Sequence, residues 1–317
     1  MLFGASLIIN GNKTINDIDI EGILDVGGDT LIVNGNSDVS DSIHVGTGML
    51  DTKNGDFYNS GTIAIASGGT VDADSSFDGT NGTIIFSGEG NLLLGSTVEN
   101  LGTLSITNGT VTYDAAGDQD IVADAYYSLT AGGGSGTKTL GGDVTVANDL
   151  TIDTDVTIVM DTHSLTVTNA TDIDATLAVS AKTLTLDGAS DIDGTITIST
   201  GTVDGNGVFD AENGTITFTG AGNLTLDSTV TSLGTLSADN GTVTYNGATA
   251  QAIVADTYYS LKVSDDSGTK TLAGAVTVSG DLTVDASVIL DMNGNTLGVT
   301  GSTDTVSYTH LTLPTKA

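Results

Sequence analysis

Displaced by 132 positions, the chain falls on itself: residues 70–169 align with 202–301 without a gap, and 58 of the 100 pairs are identical. GTIIFSGEGNLLL (82–94) meets GTITFTGAGNLTL (214–226), NGTVTY recurs at 108–113 and 240–245, and YYSLTAGGGSGTKTLGG (126–142) returns as YYSLKVSDDSGTKTLAG (258–274). Upstream, GTIAIASGGTV (61–71) still matches GTITISTGTV (194–203) after a one-residue shift. Shared composition does not produce such agreement, so the block is a duplication. A duplicated block that keeps its spacing is one whose neighbours must keep their shape, which is the requirement of stacked repeats. The chain divides accordingly into irregular N-terminal coils (1–60), a first repeat unit (61–193), a truncated second unit (194–305) and a distinct tail (306–317).

A finer rhythm runs inside the repeat as apolar-polar-apolar triplets: Val144-Thr145-Val146, Leu150-Thr151-Ile152, Leu165-Thr166-Val167, Leu177-Ala178-Val179, Leu184-Thr185-Leu186 and Ile196-Thr197-Ile198. Alternation of this kind is a strand with one face inward. Short Gly, Asp and Asn links separate the triplets, and no apolar stripe at helical spacing occurs. Gly, Asn and Asp supply the turns because they tolerate positive φ, and the chain's one proline, Pro314, lies in the tail. The absence of tryptophan speaks against the alternative, a string of β-sandwich modules, which needs longer strands and usually a large aromatic in its core.

The expected fold is therefore all-β: a parallel β-helix, or β-solenoid, with right-handed winding. With about 22 residues per coil, a repeat unit holds about six coils and the chain 13 or 14, a rod of roughly 65 Å. One inward ladder consistent with that spacing runs Ile84, Leu104, Leu129, Leu150, Ile173, Ile196, Ile216. Threonine, which borders most triplets, suits strand geometry and can stack on threonine of the next coil.

Forty acidic side chains face seven basic ones, all lysine (Lys13, Lys53, Lys138, Lys182, Lys262, Lys270 and Lys316), for a net charge of −33. Such a surface repels phosphate backbones and anionic headgroups, so neither nucleic acid nor a membrane surface is an expected partner. The chain has no cysteine for a disulfide or a thiolate zinc site. No run of about 18 apolar residues is present to span a membrane. The start, MLFGASLIINGNKT, lacks a basic segment ahead of its short apolar stretch, so any export signal is expected outside this chain.

The segment QDIVADAYYSLTAGGGSGTKTLGGDVTVANDLTID (119–153), echoed at 251–285, resembles the YxxLxxxGxGTKTLxGxVTVxGxLTI repeats of large bacterial adhesin-like surface proteins, in the style of filamentous haemagglutinin and autotransporter passenger regions. Over residues 60–301 this resemblance implies a secreted or cell-surface β-solenoid used as a stalk or adhesive rod. Its partners would be host or environmental glycans or surface proteins. The tail VSYTHLTLPTKA (306–317) breaks the preceding grammar and resembles translated adapter read-through at the ends of metagenomic reading frames. With the signal-less start, this resemblance implies a fragment of a longer protein as the expectation.

Solenoids also serve as polysaccharide lyases and hydrolases, and in those enzymes paired carboxylates carry the chemistry. Asp17 and Asp19, Asp172 and Asp174, and Asp191 and Asp193 recur two residues apart, a spacing that places both on one face of a strand. Their neighbours are turn residues, and turn formation is the simpler role. No arginine is available to neutralise a uronate. Lys138 and Lys270 recur inside GTKTL as a structural position; His44 and His163 read as surface imidazoles, the latter replaced by Asn295 in the copy. In Tyr126-Tyr127 and Tyr258-Tyr259, one ring points inward and one outward; the outward ring either covers the core edge or offers a carbohydrate platform. VGGDTLIVNGNSD (26–38) partly resembles calcium-binding nonapeptides of β-rolls but does not iterate, so calcium association would be weak.

The expectation is a non-enzymatic, exported structural and adhesive segment with no catalytic, cofactor or metal residues. Uncapped ends would favour end-to-end self-association. The alternatives are a glycan-active enzyme on the same scaffold and an S-layer-like structural protein.

Overall fold

The computed structural model describes residues 6–305 apart from 238, 265–267 and 287. The tail 306–317 lies outside the described residues. Two compact units are present, residues 1–159 and 160–317.

In the first unit, strands of two to five residues pair only in parallel, each with the third strand before and the third after it, so three strands complete a turn. Equivalent residues on adjacent turns lie from 17 (Ser6 to Ile23) to 21 (Val71 to Leu92) positions apart wherever the register is continuous. Inward side chains stack in columns: Leu24, Ile43, Ile63, Ile84 and Leu104 form one, and Leu31, Leu50, Val71, Leu92, Val111, Leu129 and Leu150 another. All but Leu104 are essentially inaccessible to solvent. Phe57 and Phe77, one turn apart, meet edge to face with ring centres 5.2 Å apart.

The second unit obeys the same rule. Leu165, Leu184, Val203, Leu224, Val243, Leu261 and Leu282 stack on one side, and Leu177, Ile196, Ile216 and Leu236 on another. Alternation fixes this: with a side-chain period of two, a four-residue strand such as Thr195–Ile198 sends both isoleucines inward and both threonines outward. Thr176, Thr195, Thr215 and Thr235 form an outward threonine column over four turns.

Both units are thus parallel β-helices, with about 15 turns between them and no helix or antiparallel pairing among the described residues. This excludes tandem sandwiches, which need antiparallel neighbours.

The coil length and the ladder need correction. Twenty strands separate Thr70–Ala73 from its copy Thr202–Gly205, and at three strands per turn the repeat spans between six and seven turns, not six. A fixed step of about 22 residues therefore drifts off register. The pairs Ile84–Leu104, Leu129–Leu150 and Ile196–Ile216 are true neighbours. Leu129, however, rests on Val111, Ile173 pairs with Ile192, and Ile196 also pairs with Leu177. The duplication is tolerated without being a whole number of turns because each side of the coil accepts the same short alternating strand.

Glycine is required where the chain closes on its neighbour. A Cβ at Gly109, whose φ is +84°, would run into the Phe86 ring, and one at Gly241 into the ring of Phe218, the same pair in the copy.

Candidate functional site

Polar groups lie inside the coil as well as on it, and the inner ones account for the duplicated motif. Lys138 of GTKTL occupies an inward strand position with no solvent exposure. Its Nζ donates to the carbonyls of Ala115 (2.6 Å) and Gly117 (3.2 Å). Burial lowers its pKa, and the nearby carboxylates of Asp114 and Asp118 partly offset that. Lys270 repeats the arrangement with the carbonyls of Gly247 and Thr249. Gln119 donates its amide to the carbonyls of Leu94 and Ser96 and accepts from the Ala115 N–H, and Gln251 does the same with Leu226, Ser228 and Gly247.

The inward tyrosines close a ring of hydrogen bonds. The Val122 N–H donates to the Tyr113 hydroxyl (3.1 Å), which lies 2.8 Å from that of Tyr126, and Tyr126 donates to the Val122 carbonyl (2.7 Å). Since Tyr126 directs its proton to the carbonyl, Tyr113 donates to Tyr126, and every group is satisfied. Tyr245, Tyr258 and Val254 repeat this ring. Burial raises all four phenol pKa values. These residues are structural: buried, saturated by backbone partners, and out of reach of a substrate. Sequence placed the lysines correctly as structural positions but not in the interior, because an inward lysine breaks the apolar alternation and only its carbonyl partners justify it.

Outward carboxylates are stacked rather than scattered. In the first unit Asp51 and Asp72 are register partners on adjacent turns, and the Lys53 ammonium lies 2.8 Å from Asp51 Oδ1 and 2.9 Å from Asp74 Oδ2. Those two carboxylates hold the Lys53 pKa above its usual value. Burial, with Asp74, Asp51 and Asp114 nearby, pushes Asp72 up to about 6 despite Lys53, and Asp72 Oδ1 is buried without a hydrogen-bond partner. In the second unit Asp172, Asp191 and Asp210 occupy one outward column, and burial, followed by the charges of Asp193, Asp210 and Asp174, raises Asp191.

The D-I-D pairs therefore resolve differently from their spacing. In each, one aspartate lies on a strand and the other at a corner: Asp17 accepts the Asn36 N–H (2.9 Å) and Asp193 the Asn213 amide (3.1 Å). The carboxylate that faces a strand aspartate comes from the next turn, which no local spacing reveals. Among the described residues, no group of three or more His, Asp or Glu is placed to hold a metal ion. The 26–38 stretch forms strand and corner, with Asp29 accepting the Gly11 N–H. His44 is exposed on an outward strand position and His163 partly exposed at a corner.

Tyr126 and Tyr258 do point inward, and their neighbours outward. Tyr127 lines a groove of about 400 Å³ with Glu89, Asn91, Asn148 and Asp149. At the corresponding places around Tyr259 stand Ala221, Asn223, Gly280 and Asp281. A second groove surrounds Tyr58, on the outer side of the strand Phe57–Asn59, a residue no repeat signal marks because it precedes the duplicated block.

Comparison with protein-family models, with curated proteins and with solved structures returns no match. Among the described residues, no helix is long and apolar enough to cross a membrane.

Proposed function

We propose that the chain is a structural and adhesive segment of a large exported bacterial surface protein, a non-enzymatic stalk making weak, repeated contacts with glycans or surface proteins. One observation carries this reading. Short polar side chains recur in register on successive turns, as in Thr176, Thr195, Thr215 and Thr235, so one weak contact is offered many times along a flank.

The test is retention of polysaccharide-coated particles by a surface carrying the chain at high and low density. Retention should rise steeply with density, and a linear rise would count against multivalent contact. A second reading, a glycan-active enzyme, is favoured by the stacked Asp51 and Asp72 beside Lys53, because adjacent-turn carboxylates are what such catalysis uses. Lys53 already neutralises Asp51 and Asp74, so of the carboxylates that act on Asp72 only Asp114 lies outside that ion pair. Release of reducing ends that disappears in Asp72→Asn would replace the first reading by the second.

A further inference from the structure

The sides of the coil in the second unit share its charge unevenly. One side carries the aspartate column Asp172, Asp191 and Asp210. On another, Asp204 and Lys262 interrupt the outward threonines. The third presents two columns, the one from Thr176 to Thr235 already described and, beside it, Ala178, Thr197, Thr217 and Ser237. All positions in the two columns but Ala178 and Ser237 are threonine, and in a chain of net charge −33 none of them is charged and none is aromatic. Register runs through these strands without a shift.

Adjacent turns lie about 4.8 Å apart and alternate residues of one strand about 6.6 Å apart, so this flank is a two-dimensional lattice of hydroxyls and methyls. Threonine is stiff at χ1, and little side-chain freedom is lost when such a lattice meets a surface. The hydroxyls are also available. Among the described residues, no side chain in either column has a hydrogen-bond partner within the protein.

A partner for this flank must be uncharged, periodic in two directions and able to hydrogen-bond at each point. The flat face of a polysaccharide crystal is met by aromatic rings, and the columns hold none. The faces of hexagonal ice present oxygens that both donate and accept, at spacings close to those of the threonines in both directions. Ice also rejects ions, so a charged side chain with its own hydration shell would spoil the fit that this flank preserves. Water held on the hydroxyls bridges to the crystal nearly as well as a direct hydrogen bond, and fixed methyls between them do not compete for it. We propose that the flank from Thr176 to Ser237 binds ice, its hydroxyls and the waters they order joining the crystal lattice. Ice binding uses the threonine column of the contact role argued above and goes beyond that role. Particle retention is measured without ice, so either can fail while the other stands.

The experiment is slow growth of ice in a solution of the full, unlabelled chain, with the fraction taken into the ice compared with that of an equally acidic globular protein. The growth of fine ice grains is followed in parallel. The chain should be enriched in ice about tenfold over the control and should arrest grain growth. Thr197→Glu, at the centre of the flank, should lower the uptake about tenfold, whereas Thr244→Glu, which adds the same charge on another side of the coil, should leave it unchanged. Thr197→Ser with Thr217→Ser keeps the hydroxyls without the methyls and should fall between these two. Rejection of the unaltered chain from ice to the same extent as the control would overturn the proposal, and this result stands even if a variant fails to fold. Uptake that survives Thr197→Glu would remove ice from this flank. Capture by crystalline cellulose in place of ice would give the flank to a polysaccharide, and a dimer that Thr197→Glu dissociates would give it to a second copy; either would overturn ice binding.

Discussion

In the first copy of the repeat the Lys138 ammonium ends between the carbonyls of Ala115 and Gly117, with Asp114 and Asp118 close enough to offset part of its desolvation. In the second, Lys270 reaches the same two places, now Gly247 and Thr249, while Asn246 and Ala250 stand where the acids stood. The glutamines and tyrosine rings likewise agree in both copies down to their partners. Around the outer tyrosines the copies diverge, Glu89 and Asn148 giving way to Ala221 and Gly280. The interior tolerates only side chains that satisfy particular backbone groups, whereas the outer side of a coil has water to satisfy it and is free to vary. Outward differences, not inward identities, are therefore where ligand specificity should be sought.

The largest expected losses are at the lysines. Lys138→Met and Lys270→Met should each lower stability by about 3 kcal/mol, because two buried carbonyls lose their donor in either copy. Both losses are read in urea unfolding, and values below about 0.5 kcal/mol in both would refute the structural role. Gly109→Ala should cost about 2 kcal/mol and exceed Gly241→Ala, since both substitutions crowd a phenylalanine ring but only position 109 combines this with a φ of +84°. Equal midpoints for these two variants would show that the ring contact alone decides.

Tyr113→Phe and Tyr245→Phe should each cost about 1 kcal/mol by opening the hydroxyl ring. Here the copies share one geometry, so thermal melts should shift alike, and a twofold disparity would reveal an influence from outside the ring. The smallest effect is a gain. Asp72 titrates near 6 in the folded chain against 3.8 for an ordinary aspartate, so between those values the folded state holds a proton the unfolded chain has released. Stability therefore falls as pH rises through that window, and the penalty is complete above it. Asp72→Asn should raise stability at pH 7.5 by about 1 kcal/mol, water screening the rest, and by almost nothing near pH 3.5. An equal gain at both pH values would assign the effect to packing instead.

Much of this was legible in the sequence. Alternating triplets bounded by Gly, Asp and Asn define short one-sided strands, and a gapless duplication requires that they stack, so the parallel solenoid, and one inward and one outward ring in each tyrosine pair, follow from local pattern. Local pattern could not set the register, because whether Leu129 rests on Leu104 or on Val111 depends on how many residues each corner consumes. Nor could it bring Lys138 inside, line up Asp172 with Asp191 and Asp210, or set Tyr58 between Asp38 and Asp78. Those partners lie a full turn apart along the chain, and only the winding of the backbone, held by hydrogen bonds between turns, makes them neighbours.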